Sequence, residues 1–207
     1  MSDKNNRRPY RKKKRAELEA ETRRRITESA VELHGTVGPS HTSMSAVAER
    51  AGVRRSTLYR HFADEATLFE ACSAHWNAAN PPPDLGAWAA IGDPDERLDR
   101  ALEDLYGFWR RTEPMIANLL RDEATDENVQ RHFGAFRGYM DAARDVLMQG
   151  RRERGQARAR VRAAIGHALA FDTWRSLVRE QGLGNIQAAR LMSGLVRAAA
   201  GARAAAR

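Results

Sequence analysis

Between Val47 and Phe62 the chain reads VAERAGVRRSTLYRHF, and hydrogen-bonding groups crowd the second half of that stretch. Arg54, Arg55, Ser56, Thr57, Tyr59, Arg60 and His61 follow Gly52 within ten residues, with Leu58 and Phe62 as the apolar positions among them. Guanidinium groups suit the edges of guanine, and hydroxyl, phenol and imidazole groups suit phosphate oxygens. A short helix that enters the major groove needs such groups outside and apolar anchors inside. Covalent chemistry finds no comparable support. There is no glycine-rich phosphate loop and no nucleophile elbow. His167 and Asp172 are five residues apart, which does not set them squarely on one helical face. No His/Cys/Asp/Glu group has metal-ligand spacing. The expectation is a protein that is not an enzyme and uses neither cofactor nor metal.

These residues need a scaffold, and the periodicity around them describes one. Met44, Val47 and Ala48 form the inward face of a short helix that Thr42 or Ser43 can cap and Gly52 ends. A second short helix spans Arg54 to His61. Two short helices joined by a tight glycine turn make a helix-turn-helix. Upstream, Ile26, Ala30 and Leu33 recur with helical spacing until Gly35 and Gly38. Downstream, Asp64 is placed to cap a helix to about Ala78, and the run Asn80-Pro81-Pro82-Pro83-Asp84 breaks the pattern.

Beyond the prolines every strong period is helical. Leu98, Leu102, Leu105 and Trp109 share a face, and Pro114 opens a short helix through Leu120. Val129, Phe133, Phe136, Met140, Ala143 and Leu147 form the clearest stripe. A penultimate helix covers about Val161–Arg179 and a last one about Ile186–Ala200. The fold expected is all-α, of about nine helices, divided into a disordered basic arm (1–15), a DNA-binding domain (16–62), a connecting helix (63–79) and a second helical domain (80–207).

Charge is distributed unevenly. Of the net +8, residues 1–25 contribute +7, from eleven Lys/Arg against four Asp/Glu. All four lysines lie between Lys4 and Lys14. A basic arm on a nearly neutral body suits a polyanionic partner. It lacks an apolar face for a membrane surface. The single cysteine, Cys72, reads as a small buried residue of a reducing compartment. No apolar segment follows the basic N-terminus as in a signal peptide, and the apolar run Ala163–Phe171 is too short to span a bilayer. A cytoplasmic location is expected.

The sequence from Thr22 to Ala78 resembles the N-terminal domain of TetR-family transcriptional regulators. Thr42, the run Val47 to Val53, the run Ser56 to Phe62 and Leu68 carry the resemblance. It implies a three-helix DNA-binding domain, a connecting helix and a ligand-binding helical domain, in a homodimeric repressor released by a small molecule. By the same resemblance Arg55 reads bases, with Arg54, Ser56 and Tyr59 as neighbours. Thr42, Ser43, Thr57 and Tyr59 meet phosphates, with Arg60 and His61 assisting. Where the family usually has a lysine, three residues after Phe62, this chain has Glu65. Glutamate suits a helix N-terminus but repels phosphate, and Arg7 to Arg15 are candidates to replace the lost attraction. The implied pocket would draw on Trp88, Trp109, Met115, His132, Phe136, Met140, His167, Phe171, Asp172 and Trp174. The last two helices would form the dimer interface, with Ala164, Ala168, Ala188, Ala189, Ser193 and Gly194 allowing close approach. A dimer places two recognition helices roughly 34–36 Å apart on a pseudo-palindromic operator. The alternative is a sequence-independent nucleic-acid binder acting through the arm.

Overall fold

The computed structural model describes residues 7–201, and every regular element among them is helical. Ten α-helices occur, against about nine expected: α1 (Arg7–Thr36), α2 (Met44–Arg50), α3 (Arg55–His61), α4 (Glu65–Ala79), α5 (Leu85–Ala89), α6 (Pro94–Asp122), α7 (Glu127–Met148), α8 (Gly155–Leu169), α9 (Phe171–Arg175) and α10 (Asn185–Gly201).

Two compact units result. One holds the chain up to Pro81 together with Pro114–Arg131, and the other holds Pro82–Glu113 and the chain from His132 onward. The first change of unit falls inside the proline run expected to divide the chain. The expected domain 80–207 is nevertheless interrupted, because the end of α6 and the start of α7 join the N-terminal unit.

Three local expectations are corrected. Residues 7–15 are helical rather than disordered, and residues 1–6 lie outside the described part. Side chains from Tyr10 to Glu21 are exposed, so burial does not hold this segment. Good helix formers and the i,i+4 pair Arg15–Glu19 (3.1 Å) support it. Pro9 sits in the first turn, where its missing N–H has no intrahelical partner to lose. Second, Pro114 does not open a helix but lies inside α6. Third, the penultimate helix breaks at Ala170, whose ψ is 137°. A continuous helix would turn Asp172 to the face that holds Ile165 and Leu169. The break gives those core positions to Phe171 and Trp174, and Asp172 is exposed. A π-helical turn, Ser176–Glu180, follows.

The core of the N-terminal unit combines Ile26 and Ala30 of α1, Met44, Val47 and Ala48 of α2, Leu58 and Phe62 at α3, and Leu68 and Cys72 of α4. In the second unit the α6 stripe of Leu98, Leu102, Leu105 and Trp109 is fully buried, as are Ile165 of α8 and Trp174 of α9. Helices α8 and α10 pack together. Ala168, Ala188, Ala189 and Ser193, candidates for a close approach between protomers, are buried within this one chain.

Candidate nucleic-acid interface

Helix α2 starts at Ser43, whose hydroxyl oxygen accepts the Ala46 N–H at 3.1 Å. Its end is a Schellman motif. The Val53 N–H donates to Ala48 O and the Gly52 N–H to Glu49 O, both at 3.0 Å. Gly52 has φ +63°, which a side chain would strain. This turn sets the angle at which α3 leaves α2.

On α3, Leu58 is fully buried, as is Phe62 just beyond its end. Those two anchors leave Arg54, Arg55, Ser56, Tyr59 and Arg60 exposed, with Thr57 and His61 half-buried. The structure thus separates the residues into an inner and an outer face as their spacing requires. Arg55 and Tyr59 are one turn apart and hold each other. The guanidinium donates to the phenol oxygen at 3.3 Å, and its carbon lies 5.4 Å from the ring centroid. That hydrogen bond raises the Arg55 pKa further, so the group is a cation at any working pH.

The flanks differ in what they can offer. The Thr42 hydroxyl donates to Gly38 O at 2.8 Å, so its proton is committed. The Ser43 hydroxyl accepts in its cap and keeps its proton for another acceptor. His61 has its pKa lowered, first by burial and then by the charges of Arg60 and Arg23. Its Nε2 is buried with no hydrogen-bond partner among the described residues, which favours packing over a phosphate contact. Arg23 of α1 donates to His61 O at 2.5 Å and stacks 4.1 Å above the Phe62 ring, fastening the end of α3. Asp64 caps α4 through the Thr67 N–H at 2.8 Å, as its position suggested. Glu65 is exposed on the first turn of α4.

The end of α6 supplies supports that the sequence did not reveal. Asn118 Nδ2 donates to His34 O at 2.9 Å, and Arg121 Nη2 donates to Val37 O at 2.8 Å. These satisfy carbonyls left open at the end of α1. Asp122 accepts the Ser40 N–H at 3.0 Å and Arg121 Nε at 2.7 Å. Burial pushes the Asp122 carboxyl up, but bonds from Arg121 and Ser40 and the charges of Arg121 and His41 outweigh it and hold it below its ordinary value. No local signal marks these residues, because their partners lie more than eighty positions away.

The pocket candidates separate in the same way. Trp109, Phe136, Phe171 and Trp174 are neighbours: Trp109 lies 5.9 Å from Phe136 and 5.6 Å from Phe171, and Phe171 lies 5.4 Å from Trp174. Trp88 is buried and donates to Asp104 at 3.0 Å. His132 and Met140 are half-buried, whereas His167 and Asp172 are exposed. Met115 belongs to the N-terminal unit, where it lies close to Gly35. Among the described residues no group of three metal-ligating side chains occurs, and no helix is long and apolar enough to cross a membrane.

Comparison with known proteins adds a family likeness over one N-terminal segment and a shared fold. The model of bacterial regulatory proteins of the tetR family matches residues 26–72, which hold part of α1, the whole of α2 and α3, and half of α4. No curated protein matches the sequence. Among solved structures, a TetR-like transcriptional regulator from Rhodococcus sp. RHA1 is 21% identical with a TM-score of 0.65, over 88% of this chain and 97% of that one. NalD, the secondary repressor of the MexAB-OprM multidrug efflux pump in Pseudomonas aeruginosa, is 21% identical with a TM-score of 0.60 over the same shares. FadR of Thermus thermophilus, a repressor crystallised with lauroyl-CoA, is 18% identical with a TM-score of 0.51, again over 88% and 97%. At these identities the solved structures show a common fold.

Proposed function

We propose that this chain, a DNA-binding transcriptional regulator whose N-terminal domain belongs to the tetR family, is a homodimeric repressor that leaves a pseudo-palindromic operator when a small molecule enters its C-terminal unit. One observation carries the reading. Leu58 and Phe62 turn inward and leave Arg54, Arg55, Ser56, Tyr59 and Arg60 outward on a short helix, inside the span the family model matches. In this reading Arg55 bonds O6 and N7 of a guanine. Ser43, Thr57 and Tyr59 meet phosphates through their hydroxyls, with Arg60 at the margin, while the committed Thr42 hydroxyl and the inward His61 serve packing. The exposed Lys12, Lys13 and Lys14 on α1 supply the phosphate attraction that Glu65 does not.

Two features support the dimer and the ligand. Leu191 and Leu195 lie one turn apart on α10, 43% and 52% exposed, and Gly194 between them is exposed as well. A leucine pair on an open helix face suits a second copy of the same helix. NalD and FadR are repressors by description, and FadR was crystallised with an acyl-CoA. A ligand acts here by favouring a dimer whose two α3 helices no longer match one turn of DNA.

The test is selection of bound sequences from a random duplex pool at two salt concentrations. Enrichment of a pseudo-palindrome, with affinity falling as salt rises, is expected. Salt-sensitive binding without any enriched sequence would instead mean a sequence-independent binder that works through its basic segment.

A further inference from the structure

Three tryptophans are completely buried in the C-terminal unit, and they differ in one respect. Trp88 Nε1 donates to Asp104 at 3.0 Å, and Trp174 Nε1 donates to Asn185 at 3.0 Å. Asn185 in turn donates to Tyr106 O at 3.1 Å, and the Tyr106 hydroxyl donates to Ala168 O at 3.0 Å. The fold therefore satisfies the polar groups around Trp174 thoroughly. Trp109 Nε1 is buried and has no acceptor among the described residues. An indole N–H shut away from water without an acceptor carries a desolvation cost that a folded chain ordinarily avoids.

The surroundings of that N–H define what could relieve it. Phe108, Phe136 and Phe171 each lie within 6 Å of the Trp109 ring, at 5.3, 5.9 and 5.6 Å between centroids. Phe136 stands edge-on to Trp109, is only half-buried, and meets Phe133 at 4.9 Å. Trp109 itself is closed off, so a visitor must displace Phe136, the cluster member nearest solvent. His167 and Asp172, the polar candidates of this region, are exposed. Guanidinium groups stand only at the outer edge of the ring cluster, where the exposed Arg111 lies 6.0 Å from the Phe108 ring and the exposed Arg137 lies 5.8 Å from the Phe133 ring. Arg179 stands 5.7 Å from the Trp174 ring and is paired with Glu113 at 2.5 Å.

We infer that the cluster around Trp109 binds a flat, mainly apolar molecule bearing a carbonyl oxygen, and that the Trp109 indole N–H selects it by donating to that oxygen. The inference rests on the proposed reading that the C-terminal unit receives the effector, and it names the effector's chemistry. Aromatic walls accept a flat body by edge and face contacts. A single buried donor rewards one acceptor and offers nothing to a second polar group. A site built to bond one oxygen rejects the analogue that lacks it, because the donor is then left unpaired.

The test uses two probes of one shape, 2-acetonaphthone and 2-ethylnaphthalene, which differ by the carbonyl oxygen. Equilibrium dialysis measures both against the full-length protein and against Trp109→Phe. The ketone is expected to bind the native chain about tenfold more tightly, the worth of one buried hydrogen bond. In Trp109→Phe the ratio should fall to about one while ethylnaphthalene binding is kept. A ¹H–¹⁵N spectrum of the native chain supplies a readout that needs no variant. The ketone should move one indole N–H resonance downfield, and ethylnaphthalene should leave it in place. An equal ratio in both proteins, an unmoved indole resonance, or failure of both probes to bind overturns the inference. DNA release is scored separately by polarisation. Selective ketone binding without release would leave this site standing and remove ligand control from the proposed function.

Discussion

Asp122→Ala is the sharpest probe of how the end of α6 holds the helix-turn-helix. The carboxylate side chain is 3% exposed and accepts from the Ser40 N–H and from Arg121. The Arg121 side chain is half exposed, so that pair contributes at most about 1 kcal/mol after screening. The Ser40 bond to a buried carboxylate is worth about 1.5–3 kcal/mol, and truncation also strands the amide. Together the loss should be about 2–4 kcal/mol. Urea unfolding of the native and variant proteins, followed by far-UV circular dichroism, measures it as a shift in midpoint at constant slope. Asp122→Asn keeps an acceptor for Ser40 and should lose roughly half as much. Because the folded carboxyl has a lowered pKa, its stabilisation is present at neutral pH and disappears only as pH falls through that lowered value. The gap between native and Asp122→Ala should therefore persist from pH 7 to pH 4.5 and close only in stronger acid. A gap below about 0.5 kcal/mol at pH 7, or one that closes between pH 7 and 5, would refute the assignment.

Other outcomes follow from the same geometry. Arg55→Ala should weaken operator binding by about 1–3 kcal/mol with little change on random DNA; equal loss on both would remove Arg55 from base reading. Replacing Lys12, Lys13 and Lys14 by glutamine should flatten the dependence of log affinity on log salt by about 0.9 for each phosphate that is no longer neutralised, and an unchanged slope would leave α1 off the DNA. His34 is buried and its pKa is lowered to about 4, mainly by burial, so it stays neutral in the folded chain and takes a proton on unfolding. Stability should then fall by up to about 3 kcal/mol between pH 6.5 and 4, a loss that His34→Gln should largely abolish in urea titrations. The Cys72 thiol, pushed up to about 12 mainly by burial and 3.4 Å from His34 Nδ1, should resist iodoacetamide at pH 8 until the protein unfolds; prompt alkylation of native protein would contradict its burial.

Much of the DNA-binding unit was legible from local rules. Ser43, Gly52 and Asp64 each specify a helix boundary by their own chemistry, as N-cap, left-handed C′ residue and N-cap, and each does so in the structure. Leu58 and Phe62 had to turn inward because the rest of α3 is polar. Local rules failed where a decision depended on distant partners or on competing faces. Propensity and the Arg15–Glu19 pair extend α1 upstream of its buried face, through side chains exposed from Tyr10 to Glu21, which a reading that waits for an apolar stripe cannot see. The break at Ala170 is decided by the core, which takes Phe171 and Trp174 in preference to Asp172. The inward small residues of α8 and α10 serve the packing of this chain on itself, a use their spacing could not distinguish from a dimer seam. Asn118, Arg121 and Asp122 gain their roles only when α6 reaches the end of α1. The isolated donor of Trp109 is likewise invisible in the sequence, since every tryptophan carries the same N–H and only the packed neighbours decide whether it finds an acceptor. Sequence determined which residues could cap, anchor or face outward, because those properties act within a few positions. Tertiary structure alone decided which polar groups were satisfied, because a hydrogen-bond partner is set by distance in space.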